Sequence, residues 1–172
     1  TMEELAAWLD ANKNDLWWDN TERPTTANIL DSEDKEEFVY RGFRHKNNSE
    51  IWQGIGIIQY KDGAVYRGET HNQLYNGKGR LTHASGDVYH GEWLDGKAQG
   101  HGVYLSKDSG TLYEGEWFDD EQHGHGTELY QFGKVKYEGN YERGEKTGKG
   151  KFTFKVATTT RASSWEAISM AR

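Results

Sequence analysis

The chain contains no cysteine and a single proline in 172 residues. The missing thiols exclude disulfides, thiolate zinc sites and a cysteine nucleophile, and fit a reducing compartment. With so little proline, the 21 glycines are not part of a Pro/Gly linker and require a periodic explanation. Aliphatic residues are scarce too: the hydrophobic share is 34% and mean hydropathy is −1.01. No apolar run approaches the ~20 residues that span a bilayer. Glu3 and Glu4 precede any apolar stretch, so no secretory signal is read at the start. Basic charge is in deficit, with 21 Lys/Arg against 28 Asp/Glu, which disfavours nucleic acid, whose phosphates need clustered cations. The acidity belongs to the beginning of the chain, where residues 1–39 carry 3 basic and 11 acidic side chains.

What the chain does have is rings: 7 Trp, 10 Tyr and 6 Phe, too many for a solvated tail. They recur in register with glycine. Five times the sequence reads aromatic-x-Gly, then about nine residues later Gly-x-Gly, a short β-prone run and a further Gly. The starts are Tyr40, Tyr66, Tyr89, Tyr113 and Tyr137, spaced by 26, 23, 24 and 24 residues. The first unit hosts an insertion near Asn47 to Glu50, and the second has Thr70 where others have a ring. A repeat of this length signals stacked supersecondary units.

Each unit reads as a β-hairpin. Side chains alternate across a strand, so Tyr113, Gly115 and Trp117 share one face while Glu114 and Glu116 take the other. The same rule puts Gly124, Gly126, Glu128 and Tyr130 together. Glycines on a ring-bearing face leave a gap over which a Tyr or Trp from a neighbouring strand lies. Ten strands about 4.8 Å apart give a ribbon roughly 45 Å long, in which each hairpin touches only its neighbours.

These marks, over residues 40–154, resemble the MORN (membrane occupation and recognition nexus) repeat, Tyr-x-Gly-x-(aromatic)-x-x-Gly-x-x-x-Gly-x-Gly. The resemblance implies an all-β, elongated single-layer antiparallel sheet of about five hairpins. It implies a scaffold with an aromatic-lined groove, in a cytoplasmic and cytoskeleton- or membrane-associated setting. Thr70, His83 and Glu128 depart from the pattern at ring-face positions.

The flanks lie outside the resemblance. Thr1 with Glu4 reads as a capping box, and Leu5, Trp8 and Leu9 fall on one face of a short helix within residues 1–13. Trp17 and Trp18 follow, and with Trp8 they are expected to dock on the sheet in cis rather than bind a second protein. Residues 19–37, with Pro24 and an acidic run from Asp31 to Glu37, read as an extended linker. The run lacks the glycine and the spaced oxygens of a calcium loop. In 155–172, Ser163 and Glu166 suggest a second capping box, opening a helix with Trp165 and Ile168 that caps the open sheet edge.

No active site is legible. Gly91 to Lys97 mimics a phosphate loop, yet Ala98 stands where Ser or Thr would hold Mg²⁺. His101 and His125 recur at equivalent positions, flanked by Lys78 and Lys149, and read as a solvated ladder about 10 Å apart rather than metal ligands. No catalytic residue, metal or cofactor is assigned. The expected function is a non-enzymatic scaffold that binds a helix or extended peptide of another protein. Tyr89, Trp93, Tyr113, Trp117, Glu128, Tyr130, Tyr137 and Tyr141 line its groove. Glu128 there would accept a partner's Lys or Arg, unless a bulge turns it outward. Anionic phospholipid is the rival ligand, through Arg143, Lys146, Lys149 and Lys151. A second copy of the chain is a further candidate partner, and a third reading makes the chain the regulatory front of a larger enzyme.

Overall fold

The computed structural model describes residues 28–45, 47–131, 133–156 and 164–171. They form one antiparallel sheet in which strands consecutive in the chain are neighbours throughout. The strands are β1 (Asn28–Asp34), β2 (Phe38–His45), β3 (Asn48–Tyr60), β4 (Val65–His71), β5 (Leu74–Thr82) and β6 (Val88–Leu94). They continue as β7 (Lys97–Ser106), β8 (Thr111–Phe118), β9 (Glu121–Tyr130), β10 (Val135–Glu142), β11 (Glu145–Val156) and β12 (Ser164–Ala171). The five expected hairpins are β2–β3 through β10–β11.

Three flank expectations meet different fates. The helix over 1–13 and its docking lie outside the described residues. Part of the expected linker is strand β1, paired to β2 from Asn28↔His45 to Asp34↔Val39. The expected C-terminal helix is instead strand β12, paired to β11 from Lys149↔Ala171 to Val156↔Ser164. Both corrections share one cause: the outer hairpins leave a row of unpaired backbone groups, and an added strand satisfies them where a helix cannot.

Within each hairpin, one irregularity recurs. Gly115 pairs with Gly126, but the next residue, Glu116, pairs with His123, so β9 carries two extra residues. The same step follows Gly42↔Gly56, Gly68↔Gly79, Gly91↔Gly102 and Gly139↔Gly150. The first glycine of each Gly-x-Gly is therefore a bulge residue, with left-handed φ at Gly77, Gly100, Gly124 and Gly148 (61°, 65°, 55° and 63°). A Cβ on Gly124 would meet the Glu116 carboxylate, on the face away from the rings. Simple alternation had placed Gly124 on the ring face, and the bulge moves it off.

The paired glycines serve the tyrosine that opens each unit. The Tyr113 ring lies across Gly115 and Gly126, where an added Cβ on either glycine would sit 2.5 Å from its hydroxyl. That hydroxyl donates to the carbonyl of Glu116 at 2.9 Å, and Tyr40, Tyr66 and Tyr89 make the same bond three residues ahead. Tyr40, Tyr66 and Tyr113 are buried almost completely. The core is thus a layer of tyrosines lying on glycine.

A second ring covers each tyrosine, and it comes from one of two positions that face each other across the hairpin. These pairs are Arg44↔Trp52, Thr70↔Tyr75, Trp93↔Ala98, Trp117↔Gln122 and Tyr141↔Lys146. Each holds one ring and one non-aromatic residue. Rings on the later strand stack flat: Trp52 on Tyr40 at 4.3 Å and Tyr75 on Tyr66 at 3.8 Å. Rings on the earlier strand meet their tyrosine edge-on, as Trp93 does with Tyr89 at 4.8 Å and Trp117 with Tyr113 at 5.3 Å. Thr70 is therefore no defect, because its ring has moved across the hairpin to Tyr75.

Units are joined through the same position. The Trp93 indole donates to the Gly79 carbonyl and that of Trp117 to the Gly102 carbonyl, both at 3.1 Å. Thr70, 2% exposed, keeps this link with its hydroxyl, which donates to the Gly54 carbonyl at 2.8 Å.

Candidate functional site

The opposite face is not purely polar. Val88, Leu105 and Leu112 are buried there, with Val103 and Leu129 packed beside them. The ring face carries a groove. That groove encloses about 640 Å³. Its floor is Tyr89, Trp93, Ala98 and Trp117; Leu81 and Tyr104 wall one side, and Gln122 with the hairpin turns at Gly96 and Gly144 walls the other. It runs over Ala98 because the Trp93↔Ala98 pair has the smallest non-aromatic member of all five.

The turn rim beside the groove is acidic. Asp95, Asp119, Asp120, Glu121, Glu142 and Glu145 are exposed along it, against the basic Lys97 and Arg143. Lys97 is neutralised by an ion pair to Asp119. The rim is also well ordered by backbone bonds between turns: the amides of Gly96, Asp120 and Gly144 donate to the carbonyls of Tyr75, Ala98 and Gln122.

Of the expected groove residues, Tyr89 and Trp93 form the floor but are nearly covered, and Tyr113, Tyr137 and Tyr141 are buried within the core. Trp117 is half-buried and open to the groove. Alternation over β-strands gave the right face for all of them. It could not show how deeply neighbouring units cover each ring.

Glu128 is on the ring face, in unbroken register with Tyr113 on one side and Tyr137 on the other, so no bulge turns it outward. Its side chain is only 12% exposed. The carboxylate accepts from the Tyr130 hydroxyl, from the Tyr141 hydroxyl at 3.0 Å and from Lys146 Nζ at 2.6 Å. Lys146 in turn lies over the rings of Tyr137, Tyr141 and Tyr130 at 5.0, 5.2 and 5.4 Å. The cation that Glu128 requires is supplied by its own chain. Burial, and after it the hydrogen bond and charge of Glu128, push the Tyr130 phenol well above its ordinary range. Burial followed by the Glu128 charge does the same to Tyr141.

The residues expected to contact lipid do not share one surface. Lys146 is folded onto the ring face, and Arg143 lines the groove. Lys151 stands opposite Glu138 on the other face, and Lys149 is exposed on β11.

Sequence reading missed a basic row on that other face. Register places Arg41, Ile57, Arg67, Arg80, His90, Val103 and Glu114 side by side on successive strands. The signal was available, since Arg41, Arg67 and His90 each follow the opening tyrosine and Arg80 follows Gly-x-Gly. Searching for charge along the chain hides a cluster that only forms across it. Among the described residues, no group of His, Cys, Asp and Glu is arranged to hold a metal ion.

Glycine-bedded tyrosine hairpins, stacked one after another and linked by the next unit's indole, define a single-layer β-hairpin repeat protein. The MORN repeat family model matches residues 66–88, 89–111, 113–131 and 137–156, and the chain belongs to that family. The β2–β3 hairpin, outside those matches, has the same glycine pairing and bulge. No curated protein matches the chain. MORN repeats are non-catalytic modules that generally mediate protein or membrane interaction, and are often membrane-associated. No helix among the described residues is long and apolar enough to cross a membrane.

Proposed function

We infer that this chain is a protein-interaction scaffold whose ring face receives a segment of another protein. The observation that carries this reading is the groove over Ala98, with Trp117 and Tyr104 half-buried along it and an acidic turn rim beside it. A groove with an aromatic floor offers contact area at small entropic cost, as binding hot spots require. The acidic rim favours a segment that carries Lys or Arg next to its apolar residues. Catalysis has no part in the reading. Glu128, satisfied by Lys146, contributes through the shape it holds rather than as a free acceptor.

The test is affinity capture with the full chain, followed by mass spectrometry and measurement of the captured partner's affinity. Trp117→Ala is expected to weaken that partner by about 2 kcal/mol, a hot-spot-sized loss. A partner that binds the folded variant as tightly as the parent removes the ring face from the reading.

A further inference from the structure

We propose that Arg67, Arg80 and His90, on the face opposite the groove, form a binding site for a phosphate-bearing ligand. The three residues occupy directly opposed register positions on the adjacent strands β4, β5 and β6. Neighbouring strands are about 4.8 Å apart, so the three side chains leave the sheet within roughly 10 Å of one another, within reach of a single anion held over the row.

Like charges placed directly opposite each other destabilise a sheet. Arg67 and Arg80 are such a pair, and neither forms an ion pair with any carboxylate among the described residues. Lys78 and Arg41 add positive charge on the same side of the molecule. The acids one pleat nearer the turns are Glu69 and Glu92, and the Glu69 carboxylate accepts the backbone amide of Lys78 at 3.2 Å. Burial, and then the Arg67 charge, hold the Arg80 guanidinium below its usual range. Burial, then Arg80, then Lys78, lower His90. Every influence named for these two groups opposes positive charge; no acid relieves it.

A second observation points to a missing acceptor. Arg80 Nε and His90 Nδ1 are buried and have no hydrogen-bond partner. Arg80 Nε–H is a donor, and a buried donor left unmade carries the full cost of its desolvation, for which an anion is one of the ordinary remedies. His90 also lines a depression of about 230 Å³ with Lys78, Glu92 and His101, which neither arginine enters. A phosphate fits this set better than a carboxylate: guanidinium forks take two of its oxygens each, and its higher charge offsets several cations together.

The experiment is a titration of the ¹⁵N-labelled full chain with inositol hexakisphosphate, then with inorganic pyrophosphate, at near-physiological salt. Saturable shifts centred on Arg67, Arg80 and His90 are expected, with affinity reduced at least tenfold in Arg67→Gln and in Arg80→Gln. Arg67 is exposed, and its variant is expected to melt no lower than the parent because a like-charge opposition is relieved. A parallel sedimentation arm uses phosphatidylcholine vesicles with and without phosphatidylinositol 4,5-bisphosphate. Vesicle binding abolished by the same variants assigns the phosphate to a lipid headgroup, whereas binding of the soluble probes alone assigns it to a free ligand. The absence of saturable binding overturns the proposal. So does binding that both variants leave unchanged, or shifts centred on Lys149 to Lys155.

Discussion

Replacing Gly126 by valine tests the packing rule on which the fold rests. A Cβ at this position would lie 2.5 Å from both Cε2 and the hydroxyl oxygen of Tyr113, well inside any tolerated contact. The backbone cannot retreat, since Gly126 is held between Gly115 on β8 and Gly139 on β10. The ring must therefore leave its bed. Overpacking of this kind costs ~1–3 kcal/mol. Displacing the ring also breaks the hydroxyl's bond to the Glu116 carbonyl, worth about 1 kcal/mol net. The expected loss is about 2–4 kcal/mol, which for a chain of this size lowers the melting temperature by roughly 4–16 °C.

Thermal and urea unfolding followed by near-ultraviolet circular dichroism, which reads the tyrosines, measure the loss. Gly96→Ala is the control: a Cβ there meets only Leu74 at 3.6 Å. Its left-handed φ of 86° makes the cost about 1 kcal/mol. Asp120 takes the equivalent turn position in the next unit at φ 70°, so a side chain is tolerated there. Mechanism is separated from mere damage by a double-mutant cycle. In a Tyr113→Leu background, Gly126→Ala should cost at least about 1 kcal/mol less than in the parent, because the ring it collides with is gone. Additive losses, or an unchanged melting temperature for Gly126→Val, would refute the claim that the glycines exist to bed the tyrosine.

Three further outcomes are expected. Lys146→Met leaves the nearly covered Glu128 carboxylate without its cation and should destabilise the fold by about 1–3 kcal/mol; adding Glu128→Gln should recover part of that loss in urea melts. Burial raises the phenols of Tyr66, Tyr75, Tyr89, Tyr113, Tyr130 and Tyr141 above their ordinary value. Because the folded state favours the neutral phenol, stability should be fully present below about pH 10 and fall as pH rises above it, with absorbance at 295 nm showing these phenols titrating only on unfolding. Thr70→Trp adds a second ring to a hairpin already covered by Tyr75 and should lower stability, whereas Thr70→Trp with Tyr75→Ala, which copies the third unit, should be the milder change in the same melts.

The period, the hairpins and the ring-bearing face were legible in the sequence because alternation and glycine spacing are local signals. Three features were not. The bulge that carries Gly124 to the other face depends on two extra residues in one strand, and strict alternation cannot register them. The exchange of Thr70 with Tyr75 looks like a lost ring when one column of the repeat is read alone; it is visible only when facing columns are paired. Strand β12 replaced an expected helix because Ser163 and Glu166 satisfy a local capping pattern, while the open edge of β11 that recruits the segment lies elsewhere in the sequence. The candidate site followed the same division. The face on which Trp93, Trp117 and Glu128 lie was readable, but not the Lys146 that closes over Glu128 from eighteen residues away.

That closure bears on where specificity can reside. The tyrosines opening each unit, the indoles that link units and the paired glycines all help to hold the sheet, so a change in any of them costs stability whatever it does to a partner. The positions left free are those the ring rule does not constrain. They include Ala98 and Gln122, the non-aromatic members of the third and fourth facing pairs, and the turn residues beside them. Ala98 makes a hollow, Gln122 a polar wall and Lys146 a plug, three different surfaces produced at equivalent positions of consecutive hairpins. Lys146 covers the ring face at the fifth unit, while the groove keeps its apolar floor at the third and fourth units, on Tyr89, Trp93, Ala98 and Trp117.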